Sequence, residues 1–143
     1  MTILVSACLL GCPCRYDGKS KPNDALLALM EQHTLIPVCP EQMGGLATPR
    51  APAERREGGV FTQTGMDVTV QYRRGAEEAL RLAKLYGCTC AILKERSPSC
   101  GSGEIYDGSF SRRLIAGDGV TAALLKANGI AVYGESEVDD RWK

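Results

Sequence analysis

Three cysteines follow short apolar runs at separate points of the chain. Cys8 comes directly after Ile3-Leu4-Val5-Ser6-Ala7, Cys39 follows Leu35-Ile36-Pro37-Val38, and Cys100 lies a few residues beyond Cys90-Ala91-Ile92-Leu93. At each point the aliphatic, β-branched run gives way to Pro, Gly and Ser. If the runs are neighbouring parallel strands, the three thiols converge at the carboxyl edge of the sheet, where open α/β proteins build their sites. Three soft thiolates with no fourth partner describe a metal centre that keeps one position open for chemistry.

Other residues with chemical potential cluster around these thiols in sequence. In Cys39-Pro40-Glu41-Gln42-Met43-Gly44-Gly45-Leu46 a carboxylate stands two residues from a proposed ligand. Glu41 can act there as a general acid or base; the alternative is a loop carboxylate paired with Arg50 or Arg55. Gly44 and Gly45 permit close backbone approach to a bound group. Pro49-Arg50-Ala51-Pro52 is a stiff turn displaying Arg50 toward an anionic or planar ligand, with a solvated salt bridge as the alternative. In Ser97-Pro98-Ser99-Cys100-Gly101, hydroxyls and amides can donate to cluster or substrate sulfur; a serine-rich capping turn is the alternative. Neither Ser97 nor Ser99 has a histidine in reach, because the lone His33 precedes the second apolar run, at the opposite edge. A serine-hydrolase triad is therefore not expected.

The remaining cysteines fit a closed structural zinc site poorly. Cys12-Pro13-Cys14 and Cys88-Thr89-Cys90 have one-residue spacers, not the two-residue spacing common in zinc sites and redox pairs. Cys88 and Cys90 also open a run at its far end, where buried filling is the expected role.

The elements that must position these residues follow from periodicity. Four short, continuous apolar runs (Ile3 to Ala7, Leu35 to Val38, Cys90 to Leu93, Ile130 to Tyr133) alternate with helical patterns. This predicts an α/β fold: a single domain over residues 1–143 with a mostly parallel, four-to-five-stranded, Rossmann-like sheet and flanking helices. Asn23-Asp24 caps a helix carrying Leu26, Leu27 and Met30. Asp67 starts a long helix with Tyr72, Ala76, Leu80, Ala83 and Tyr86 on one stripe and Gly87 as its stop. Asp118 starts the last helix, with Val120, Ala123, Leu124 and Ala127, stopped at Gly129. Two long polar stretches, Pro40 to Met66 (with Val60-Phe61-Thr62 as a small strand) and Arg96 to Gly117, leave the same sheet edge, so function is expected there.

Composition narrows the classes. The 143 residues carry 17 Lys and Arg against 17 Asp and Glu, with signs mixed along the chain, which argues against a nucleic-acid or membrane surface. No apolar stretch reaches the roughly 18 residues of a membrane span. The start Met1-Thr2-Ile3 lacks a basic leader, and seven cysteines form an odd set. Cytoplasmic thiols used in metal or redox chemistry are expected.

Taken together, Val5-Ser6-Ala7-Cys8-Leu9-Leu10-Gly11, Arg15-Tyr16-Asp17-Gly18, Val38-Cys39-Pro40-Glu41, Gly44-Gly45-Leu46, Pro49-Arg50 and Ser97-Pro98-Ser99-Cys100-Gly101 resemble the bacterial thiouracil desulfurase family. The resemblance spans roughly residues 1 to 135, in order. It implies a 4Fe–4S cluster held by Cys8, Cys39 and Cys100, with one iron free of protein ligands. That iron takes the sulfur of a thiolated nucleobase or nucleoside, 2-thiouracil-like, and water completes the conversion of C=S to C=O with release of sulfide. The resemblance also implies that Glu41 and Ser97 handle protons. Gly44, Gly45, Arg50 and Ser99, singled out above from their own chemistry, are then expected around the substrate, and the family pattern does not require Cys12 and Cys14. The reaction needs no external electron donor. The partner is then a small molecule, neither a nucleic-acid polymer nor a membrane. Two other classes remain open at this point: a non-catalytic carrier of metal or persulfide, and a thiol oxidoreductase using Cys12 and Cys14.

Overall fold

In the computed structural model, which describes residues 1–139 and 142, the four apolar runs become the four strands of one parallel sheet. They are β1 (Thr2–Ser6), β2 (Thr34–Val38), β5 (Cys90–Leu93) and β8 (Ala131–Gly134), in the spatial order β2-β1-β5-β8. The central strands β1 and β5 are buried nearly throughout, as a sheet covered on both faces demands. Pro37, which cannot donate to a ladder, sits in β2 at the sheet's edge.

Alternation along the strands sorts the core into two layers. Leu4, Ala91 and Leu93 face Ala79, Ala83 and Leu125 of the long helix α3 (Thr69–Leu85) and of α4 (Val120–Ala127). Ile3, Val5 and Ile92 face Leu9, and Leu26 of α1 (Asp24–Ala28) with Leu29 just beyond it. Fully burying each such side chain is worth roughly 1.5–3 kcal/mol. Both layers therefore hold β1 and β5 rigidly beneath the loops at their ends.

The helices refine the periodic reading. Asn23 caps α1 by accepting the Leu26 amide at 3.0 Å, but Leu29, not Met30, is the residue driven inward. Asp67 accepts the Thr69 amide at the start of α3. Tyr72, Ala76 and Ala83 are buried there, whereas Tyr86 lies past the last turn and is exposed. On α4 the inward positions are Thr121, Ala122 and Leu125; Ala127 is exposed. Asp118 does not cap α4, because its Oδ1 accepts from the Gly103 amide and Lys126 instead.

The long polar stretches are more structured than their composition predicts. The first holds α2 (Pro40–Met43) and an antiparallel pair, β3 (Ala53–Arg56) and β4 (Gly59–Thr62). The second holds the hairpin β6 (Glu104–Tyr106) and β7 (Leu114–Ala116). His33 hydrogen-bonds the N-terminal amine and the Trp142 carbonyl at the opposite edge, so its role is structural. Among the described residues no helix is long and apolar enough to cross a membrane.

Candidate functional site

Because all four strands run in parallel, the segments after β1, β2 and β5 leave the sheet at one edge, and they line a common cavity of about 580 Å³. Cys8 enters it from a short 3₁₀ turn (Ala7–Leu10) immediately after β1. Cys39 stands at the N-cap of α2, whose Pro40 is preset for the first helical turn. Cys100 arrives on a tightly docked loop. The Pro98 and Ser99 carbonyls accept the first amides of α4, and Gly119 packs so closely that an added Cβ would lie 2.4 Å from the Ser99 backbone.

A similar contact fixes α2. A Cβ on Gly44 would lie 1.9 Å from the Gln71 carbonyl oxygen, and one on Gly75 would lie 1.8 Å from that of Pro40. Two facing glycines thus let α2 and α3 touch backbone to backbone, which places Cys39 and Glu41 against the helix that carries Tyr72.

Cys8, Cys39 and Cys100 all line the cavity, and so does Cys14. Cys14 is buried beside the thiols of Cys8 and Cys39, while Cys12, two residues before it, is exposed. The Cys39 thiol also donates to the Cys14 carbonyl at 3.7 Å. Thiol crowding and burial decide the protonation of this group. Cys14 raises the Cys39 thiol far above the ordinary range, and burial adds to it. The bond with Cys39 lowers Cys14, but Cys8 and burial outweigh it and push Cys14 up to about 11. Burial first and Glu41 second push Cys100 up to about 12, against opposing hydrogen bonds from Ser6 and Ser99. Without a metal these are thiols, and only a strong cationic partner converts them to thiolates.

Glu41 lines the same cavity and anchors a second network. Its Oε2 accepts from Arg50 at Nη2 (2.7 Å) and Nε (3.0 Å), both side chains being largely buried. Its Oε1 faces the Ser97 hydroxyl at 3.5 Å. Ser97 Oγ accepts the amides of Ser99 and Cys100, so the hydroxyl proton is left to point at Glu41. Burial and the neighbouring Glu41 carboxylate hold the Tyr72 phenol well above its ordinary range. The pairing of Glu41 with Arg50 and its presence at the cavity are thus both features of one arrangement.

The other predicted site residues are placed differently. Arg50 lines the cavity, but its donors go inward to Glu41, Thr48 and the Ala47 and Cys14 carbonyls instead of being displayed for a ligand. Gly44 and Gly45 are not on the cavity wall; Gly44 is spent on the contact with α3. Ser99 is fully buried behind the wall, bonded to Thr121 at 2.8 Å. Tyr72 is the member that sequence reasoning passed over, and Cys14 is the one it kept only for a thiol oxidoreductase. A Cys-X-Cys spacing gave no ligand signal for Cys14. Tyr72 sits on an apolar stripe that reads as core.

The cavity thus joins several thiols to a hydrogen-bonded carboxylate, and known proteins match nearly the whole of this chain. The model of the 2-thiouracil desulfurase family matches residues 3–137. The uncharacterised protein YbbK of Bacillus subtilis (strain 168) is 45% identical, covering 96% of this chain and 98% of its own. The solved structure of TudS, a 4Fe–4S-dependent thiouracil desulfidase, superposes with a TM-score of 0.91 at 51% identity, over 96% of this chain and 92% of that one. The fold, the match through every cavity segment and these identities agree: the chain belongs to the 2-thiouracil desulfurase family.

Proposed function

We propose that the chain is a 4Fe–4S-dependent desulfurase that converts a thiolated pyrimidine base, or its nucleoside, to the oxygenated form with release of sulfide. It works as one domain over residues 1–143, in the cytoplasm, where thiols stay reduced. The observation that carries this reading is the meeting of Cys8, Cys39 and Cys100 with Glu41 in one cavity. Family membership and the likeness to TudS support it.

The donor set suits such a cluster. Thiolates are the preferred ligands of iron–sulfur centres. Among the described residues, no group of three or more His, Cys, Asp or Glu is arranged to hold a single metal ion. Cys8, Cys39 and Cys100 meet instead around a cavity of about 580 Å³. Cys8, Cys39 and Cys100 are the proposed ligands. When bound, the cluster supplies a soft, Lewis-acidic iron for the thiocarbonyl sulfur.

The chain's own residues then handle protons. Arg50 occupies Glu41 Oε2, so Oε1 is the free basic atom, next to the Ser97 hydroxyl. Glu41 Oε1 takes a proton from the attacking water and returns one to the departing sulfur. Ser97, locked by two amides, bridges that transfer. Arg50 holds the carboxylate in place through two hydrogen bonds to Oε2.

Anaerobic reconstitution tests the proposal. It predicts a brown protein with about four irons and four sulfides per chain that turns 2-thiouracil into uracil. A cluster-loaded protein that binds sulfur species without turnover is a carrier, and activity without any metal belongs to a thiol oxidoreductase; either result overturns the reading.

A further inference from the structure

The structure bends the backbone into the left-handed region at four non-glycine residues among those described: Glu57, Arg96, Phe110 and Arg112. Glu57 is in the tight β3–β4 turn. The other three all line the cavity. Side chains rarely accept this conformation unless the surroundings impose it, and such residues gather at functional sites. Phe110, at φ +57°, is the clearest case. It sits at the tip of the β6–β7 hairpin, half-buried, and a phenyl ring there completes no hydrophobic core cluster.

What holds that tip is a carboxylate on another element. Glu54 of β3 turns Oε1 onto two hairpin amides, Gly108 at 3.0 Å and Phe110 at 3.2 Å. Gly108 packs against β3 so closely that an added Cβ would meet the Arg55 carbonyl at 2.8 Å. The protein thus spends a carboxylate, a glycine and a strained backbone to place Phe110 at the cavity, whose lining also includes Tyr16, Tyr72 and Tyr106. Of these four only Phe110 carries no polar side-chain atom, so its ring can meet a ligand only by apolar and π contact. Tyr72, by contrast, is buried to 3% exposure on α3 beside Glu41.

We propose that Phe110 is the platform on which the planar ring of the thiolated base stacks, and that Glu54 is the residue that positions it. This rests on the desulfurase reading above and adds a specificity determinant to it. A face-on platform selects flat, unsaturated heterocycles over aliphatic thiocarbonyls. Glu54 acts through the hairpin and not on the base.

Holoenzyme carrying F110A, F110L, F110Y, E54A or E54Q tests this by 2-thiouracil kinetics and by calorimetric binding of uracil, which cannot react. Base–aromatic stacking is worth about 5- to 150-fold in affinity. F110A and F110L are expected to raise KM and weaken uracil binding within that range, at unchanged iron content and near-parental kcat. F110Y restores both. E54A gives a smaller rise in KM, which E54Q reverses, because its amide oxygen still accepts the two hairpin amides. Parental KM and uracil binding in F110A or F110L overturn the platform, and an E54Q variant as impaired as E54A overturns the positioning role. A parent protein that holds its cluster but neither binds uracil nor turns over 2-thiouracil fails at the functional reading itself and takes this inference with it.

Discussion

Cysteines occupy both ends of the parallel sheet, and burial does not tell the two groups apart. Cys8, Cys14 and Cys100 at the carboxyl edge are 7%, 6% and 4% exposed; Cys88 and Cys90 at the amino edge are 7% and 6% exposed. The neighbours differ. Burial leads the upward shift of Cys88 and Cys90, as it does for Cys100, and Cys88 adds to Cys90. The surroundings of that pair, however, are strand and helix packing, with no carboxylate among the described residues contributing to either shift. At the carboxyl edge the thiols perturb one another, and Glu41 reaches Cys100. A buried cysteine is therefore not a ligand or a filler by its depth. Convergence of several on one cavity is what separates the groups.

The sharpest way to break this comparison is to delete each thiol in turn. Cys8→Ala, Cys39→Ala and Cys100→Ala are each expected to abolish cluster loading, read as iron and sulfide content, while Cys88→Ala and Cys90→Ala load fully. Equal iron loss in all five removes the distinction between the two ends. Next in size are the residues that face the cavity without being proposed ligands. Glu41→Gln and Ser97→Ala should keep the brown colour and lose about 10²–10⁴-fold in turnover. Parental turnover with an intact cluster in either variant makes that residue structural.

A third test strains the carboxyl edge without touching a thiol. Gly75→Ala drives a methyl into the Pro40 carbonyl, and overpacking of this kind costs about 1–3 kcal/mol. Its denaturation midpoint should fall. Its cluster should also become more labile, because α2 carries Cys39 and Glu41. The smallest effect belongs to the amino edge, where Cys88→Ala should lower stability by about 1 kcal/mol and leave the half-life of the cluster unchanged.

Much of this was legible in residue order. Continuous apolar runs identify strands covered on both faces, and parallel strands force the residues after them to one edge; Cys8, Cys39 and Cys100 follow from that alone. What was not legible depends on partners distant in sequence. Gly44 reads as a ligand cradle until Gly75 is known to face it across α3. Tyr72 has the spacing of a core residue, and its body is indeed buried; only the tertiary fold brings its phenol to Glu41. Ser99 lies in the right segment but points behind the wall, because Thr121 competes for its hydroxyl. The β6–β7 hairpin reads as a polar loop because a single remote carboxylate, Glu54, holds its tip.

The strand order also sets when the protein can be completed during synthesis. No two of the proposed ligand thiols share an element: α1 and β2 separate Cys8 from Cys39, and α2, β3, β4, α3 and β5 separate Cys39 from Cys100. A chain leaving the ribosome can pair β1 with β2 early, but the third wall of the cavity forms only once β5 adds to the other side of β1. Parallel pairing across such long crossovers is slow. Cluster delivery is accordingly a late step, open only to chains whose central strands have already found their order. A cluster held by the three proposed ligands would tie these remote segments together, and part of its binding free energy would become resistance to unfolding.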